Sequence, residues 1–203
     1  MLLTIHPANP DERKIRQVAA ILKKGGIIIY PTDTVYGMGC DIAHPEAIER
    51  ICQIKQINPQ KAQLSFLCSD LSHLSEYTKA IDTPVYRFLK QYLPGPYTFI
   101  MDASKKVPKL LRTRRDTVGI RVPDNRICKA LLMELGNPVL STSLPPDEGD
   151  RIYTDAEEIY DHFGSMVELV IDGGTGNAIP STVVDCTVFP PELIREGAGE
   201  IFV

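Results

Sequence analysis

From Asp11 to Arg195 the sequence switches repeatedly between two apolar rhythms, and this alternation limits the folds open to it more than any other feature. Asp11 opens a helix with Ile15, Val18 and Leu22 on one face, and Gly25-Gly26 stops it. Ile27-Ile28-Ile29-Tyr30 reads as a buried strand. Pro45 stands at a first helical position, with Ile48, Ile51 and Cys52 following at helical spacing, and residues 63–68 read as a strand. The spacing next predicts a helix over 83–92, broken by Pro94-Gly95-Pro96, and strands over 97–101 and 117–122. A helix capped by Asp124 runs to Leu135, a strand covers 139–143, and a helix capped by Thr154 runs to Phe163. Strands over 167–171, 181–186 and 192–195 complete the pattern. It predicts an α/β fold, an open twisted mixed sheet with helices packed on it. Pro145 to Asp150 is the most linker-like stretch and is too short to separate domains, so residues 1–203 are expected to form a single domain.

Composition narrows the function classes. With 43% apolar and 24% charged residues, the chain can bury an ordinary core. A net charge of -4 argues against a nucleic-acid binder that uses its whole surface, so RNA contact would need a local patch. Lys105, Lys106, Lys109, Arg112, Arg114 and Arg115 supply one candidate, although such a run is usually a solvated face. The five cysteines are odd in number and lack a C-x-x-C pair, which argues against a disulfide framework and a zinc site. His6, His44, His73 and His162 are scattered, and no metal site is expected. The N-terminus does not read as a signal peptide, and no apolar run approaches the roughly 20 residues of a membrane span. The expected compartment is the cytoplasm, with no membrane partner.

Five constellations could carry chemistry. Pro31 to Gly39 gathers Thr32, Thr34, Tyr36 and two glycines at the exit of the isoleucine strand, where α/β sheets bind ligands. Arg121 lies inside an apolar β-run, so it should be partly buried and need an anionic partner, either a ligand or an internal carboxylate. Ser141, Thr142 and Ser143 end one strand, Ser181 and Thr182 open another, and Arg195 precedes a glycine-rich turn. Hydroxyls at strand ends usually satisfy backbone groups. Taken together, small donors and cations without a matching acid, base or nucleophile suit the holding of a polyanion.

These motifs, with Gly95-Pro96-Tyr97-Thr98, occur in an order that resembles the YrdC/YciO family over nearly the whole chain, and the Leu140-Ser141-Thr142-Ser143-Leu144 run looks closest to the YciO branch. The resemblance implies a YrdC-like sheet with a large concave cationic cavity. It also implies a threonylcarbamoyl-adenylate synthase, joining L-threonine, bicarbonate and ATP, with Mg2+ on the phosphates, to form an adenylate and pyrophosphate for the t6A modification of tRNA. The alternative it implies is a double-stranded RNA- or tRNA-binding protein without synthase activity. Carried over by resemblance, Lys55, Arg121 and Ser141 would be catalytic. Thr32, Thr34, Tyr36, Lys61, Thr98, Ser143, Ser181, Thr182 and Arg195 would bind substrate and nucleotide. Two positions depart from the family pattern: Ile57 replaces the arginine of K-x-R, and Ser143 the asparagine of S-x-N. Loss of a guanidinium removes a bidentate phosphate clamp, for which Lys61 is only a point charge, so reduced or altered activity is expected.

Overall fold

The computed structural model describes residues 1–58, 64–108, 116–147 and 149–202. Among them are ten strands and six helices. In chain order they are β1 (Leu2–Thr4), α1 (Glu12–Leu22), β2 (Ile28–Tyr30), β3 (Gly37–Asp41), α2 (Pro45–Ile54), β4 (Ser65–Leu67), α3 (Leu71–Tyr77) and α4 (Thr83–Tyr92). There follow β5 (Tyr97–Asp102), β6 (Thr117–Arg121), α5 (Arg126–Leu135), β7 (Val139–Ser143), α6 (Ala156–Phe163), β8 (Leu169–Asp172), β9 (Thr182–Asp185) and β10 (Glu192–Arg195). The strands form one open sheet in the order β1-β8-β2-β3-β7-β4-β6-β5-β9-β10. It is mixed, with β1·β8, β2·β8, β4·β6 and β5·β9 parallel and the other neighbours antiparallel. The α/β expectation therefore holds.

Local chemistry explains most element boundaries. The Asp11 carboxylate accepts from the Arg13 and Lys14 amides at the start of α1, and Pro45 occupies the first turn of α2, where no amide is needed. Two expected caps sit one residue later. Asn125, not Asp124, accepts from the Cys128 amide, while the Asp124 amide donates to Asp33 Oδ2. Asp155, not Thr154, caps α6, accepting from the Glu157 and Glu158 amides.

The strand pleat divides the side chains between two layers. Ile29, Met38, Cys40, Leu140, Phe66, Val118, Ile120, Phe99, Met101 and Val184 point into one core. Ile48 and Ile51 of α2, Leu74 of α3, Leu89 of α4 and Ile159 of α6 close it. On the other face Ile28, Tyr30, Leu67, Val139, Leu169 and Ile171 pack against Ile15, Val18 and Leu22 of α1 and Ile127, Leu131 and Leu135 of α5. That second cover stops short. Along β5 and β9, buried Phe99, Met101 and Val184 alternate with half-buried Thr98, Ile100, Val183 and Asp185, and Gly119 of β6 is half-buried too. Toward β6, β5 and β9 the second face is thus open.

Candidate active site

Small and polar residues line up across the open face. Strand register places Gly39 opposite Ser141, Ser141 opposite Ser65, Ser65 opposite Gly119, and Gly119 opposite Ile100. Residues two positions away share the face, which brings in Gly37, Ser143, Arg121 and Thr98. The β3 and β7 side of this face is shaped by Tyr30. Its hydroxyl donates to Ser141 Oγ at 2.6 Å; a Cβ on Gly37 would stand 3.1 Å from its ring, and one on Gly39 3.1 Å from its hydroxyl oxygen. The Gly-Met-Gly spacing thus follows from two close approaches, the buried tyrosine against Gly37 and the Leu140 carbonyl and Val139 side chain of β7 against Gly39. Burial pushes the Tyr30 phenol far above its ordinary range, so it stays a proton donor.

Arg121, at the end of β6, is 7% exposed. One terminal nitrogen donates to Asp33 Oδ1 at 2.9 Å and to Thr34 Oγ1 at 2.9 Å. Thr34 Oγ1 lies 3.1 Å from Thr32 Oγ1, which donates to the Val35 carbonyl. Asp33 Oδ2 accepts from the Asp124 amide, and Asn177 donates its side-chain amide to the Asp33 carbonyl. The internal carboxylate is therefore one partner of the buried arginine. It does not satisfy the whole guanidinium, because Arg121 Nε is buried with no hydrogen-bond partner. An orphaned donor on a buried cation is costly and is often completed by a ligand.

A second group faces the first. Thr98 Oγ1 and Ser181 Oγ lie 2.8 Å apart, and Arg195 donates to the Ser181 carbonyl at 2.7 Å and to its hydroxyl at 3.4 Å. Arg195 holds its proton less tightly than usual, first through burial and second through the positive field of Arg121, so the two arginines sense one another. Thr32, Thr34, Thr98, Arg121, Ser141, Ser181 and Arg195 accordingly gather on and around the open face.

Three expected residues lie elsewhere, and a fourth stands at the rim. Thr182 pairs with Tyr97, so the pleat turns it to the opposite face, where it donates to the Gly199 carbonyl at 2.6 Å. Tyr36 is buried in the main core, and its hydroxyl donates to the Gly174 carbonyl at 2.7 Å. Lys55 caps α2 and donates to Thr142 Oγ1 at 3.0 Å and the Ser143 carbonyl at 2.5 Å. Thr142 points away from Ser141, so Lys55 props the end of β7 from behind; burial lowers its pKa. Ser143 is exposed at the rim of the face. Lys61 lies outside the described residues, as do Lys109, Arg112, Arg114 and Arg115 of the basic stretch; Lys106 pairs with Glu76 at 2.6 Å.

Asp33 and Asn177 carry no signal of their own in the sequence. Asp33 sits in the Thr-Asp-Thr motif between two candidate hydroxyls, and only the fold reveals its pairing with residue 121. A pocket of about 460 Å³ opens beyond the ends of β4 and β6, lined by Ser69, Ser72, Pro94, Val122, Asn125 and Lys129 among others. Among the described residues no helix is long and apolar enough to cross a membrane, and no group of three or more His, Cys, Asp or Glu side chains could hold a metal ion.

The chain is similar to known proteins over nearly its full length. A family model described as Sua5_yciO_yrdC, telomere recombination, matches residues 20–197. The YciO protein of Escherichia coli K12 is 45% identical over 198 residues, covering 97% of this chain and 95% of that protein, and the crystal structure of E. coli YciO superposes with a TM-score of 0.92. A threonylcarbamoyl-AMP synthase of Vibrio vulnificus is 32% identical over 186 residues, 90% of this chain and 98% of that enzyme. The crystal structure of Pyrococcus abyssi Sua5 complexed with L-threonine matches with a TM-score of 0.88 at 29% identity, covering 97% of this chain and 57% of that one. With the family model spanning most of its residues and relatives matched nearly end to end, the chain belongs to the Sua5/YciO/YrdC family.

Proposed function

We propose that the open face binds ATP and a small carboxylate, and that the protein is an adenylate-forming enzyme of the threonylcarbamoyl-AMP synthase type. The observation that carries this reading is the facing of Arg121 and Arg195 across Thr98 and Ser181, with Arg121 Nε left unsatisfied. Two guanidinia beside several hydroxyls suit a triphosphate or carboxylate, and they offer no general base or nucleophile. The relatives support the substrate class: a threonylcarbamoyl-AMP synthase is 32% identical, and a Sua5 was solved with L-threonine.

In this reading, threonine carbamate attacks the α-phosphorus of ATP and pyrophosphate departs. Arg121 and Arg195 hold the charge while Thr98, Ser141 and Ser181 orient oxygens, so catalysis is by alignment and electrostatic stabilisation. The guanidinia cannot ligate Mg2+; an ion accompanying ATP would be held chiefly by its phosphates. Lys55, already spent on Thr142 and Ser143, acts by positioning β7.

Purified protein incubated with L-threonine, bicarbonate and labelled ATP should release pyrophosphate only when threonine is present. Release that ignores threonine, or no release together with no ATP binding, rejects the reading.

A further inference from the structure

Glycine inside a strand weakens it, having no side chain to pack and more backbone freedom to lose. Three strand glycines lie on the face that carries Ser141. For two of them the fold itself supplies the reason. A Cβ on Gly39 would stand 2.3 Å from the Leu140 carbonyl oxygen and 2.7 Å from Val139 Cγ1, and one on Gly37 would stand 3.1 Å from the Tyr30 ring.

Gly119 has no such reason. It sits mid-strand in β6, paired with Ser65 and Ile100, and is not one of the glycines with positive φ, which are Gly25, Gly136 and Gly174. A Cβ there would meet Thr98 Cγ2 at 3.4 Å, Ser65 Cβ at 3.5 Å and the Leu64 carbonyl oxygen at 3.6 Å, all ordinary van der Waals contacts. The protein has room for a methyl group at this point, and the position is half-buried on the open face.

We infer that Gly119 is kept bare by the ligand and not by the fold: it is a specificity-determining gap in the floor, on which a phosphoryl group of the bound ligand rests. The inference deepens the nucleotide reading above and rests on it. The surroundings name the chemical class. Arg121, with its buried unpaired Nε, stands two residues along the same face of β6. On the neighbouring strand, Thr98 shares a hydrogen bond with Ser181, to which Arg195 also donates. An oxyanion lying against Gly119 has cationic and hydroxyl donors beside it, whereas a side chain rising from residue 119 takes up the space of an oxygen atom.

The test uses the full chain with Gly119→Ala and Gly119→Val, thermal melting of each, and calorimetric titration with ATP and with pyrophosphate. Gly119→Ala should melt at or above the temperature of the unchanged protein. Its affinity for both probes should fall by about 10-fold, and that of Gly119→Val by more. A Gly119→Ala protein that melts more than about 4 °C lower overturns the inference, since the fold would then need the glycine. So does affinity that stays unchanged in both variants. Weakened ATP binding with unchanged pyrophosphate binding overturns the assignment to a phosphoryl group. If the unchanged protein binds neither probe, the nucleotide reading falls and takes this inference with it; if that protein binds and the variants bind equally well, this inference falls alone.

Discussion

The guanidinium of Arg121 and the carboxylate of Asp33 meet at 2.9 Å with side chains only 9% and 8% exposed. Two charges hidden this well are worth more for what they orient than for net stability, since the cost of removing both from water offsets much of their attraction. Asp33 fixes one terminal nitrogen of Arg121 and leaves Nε unspent.

Removing one member strands the other. Asp33→Ala should destabilise the protein by about 3–5 kcal/mol, read from urea denaturation. Millimolar pyrophosphate should restore more stability to Asp33→Ala than to the unchanged protein, because the anion replaces a missing counter-charge. Equal stabilisation of the two proteins would show that the anion does not reach Arg121.

The departures at Ile57 and Ser143 give a gain-of-function test. Ile57 is half-buried just beyond α2, and Ser143 is exposed at the rim of the open face. If missing donors limit the rate, Ile57→Arg combined with Ser143→Asn should raise threonine-dependent pyrophosphate release by about 100-fold, the usual size of one lost charge-stabilising donor. An unchanged rate would place the limitation elsewhere.

Much of the fold was legible from periodicity, because helices such as 83–92 and strands such as 139–143 carry their burial pattern openly. Three elements were not. β1 is three residues long ahead of a proline, and α3 is a short helix rich in polar residues. β3 reads as a loop because two of its five residues are glycine, and only the packing of the fold explains them: the Tyr30 ring lies against Gly37, and the Leu140 carbonyl and Val139 against Gly39. At the candidate site, the motifs mark segments that the fold brings to the open face but not which way each side chain points. In the sequence Thr142 and Thr182 look equivalent to Ser141 and Ser181. Strand alternation separates each neighbour onto the opposite face, a distinction that needs the register and not only the residue type.

Tyr36 gives a prediction against pH. Burial pushes its phenol up to about 12, above the ordinary value of 10. The folded state therefore holds this proton more tightly than the unfolded state does. The associated stability is fully present below pH 10 and is lost as pH rises through the folded value. Tyr36→Phe should cost about 1 kcal/mol at pH 7 through loss of the bond to Gly174. It should also flatten the alkaline decline, seen by comparing denaturation midpoints of the two proteins at pH 7 and above pH 10. Parallel declines in both proteins would count against a buried phenol at this position.

The placement of β8 has a consequence for how the molecule assembles. It is inserted between β1 and β2, pairing Val170 with both Leu2 and Ile29, so two segments near the start of the chain are joined only through one that follows some 140 residues later. During synthesis this part of the sheet stays unzipped until residue 172 has emerged, and closure must draw together widely separated stretches of polypeptide, a slow route. Until then the isoleucine strand β2 offers a bare, sticky edge, which makes nascent or truncated forms of the protein the ones most exposed to aggregation.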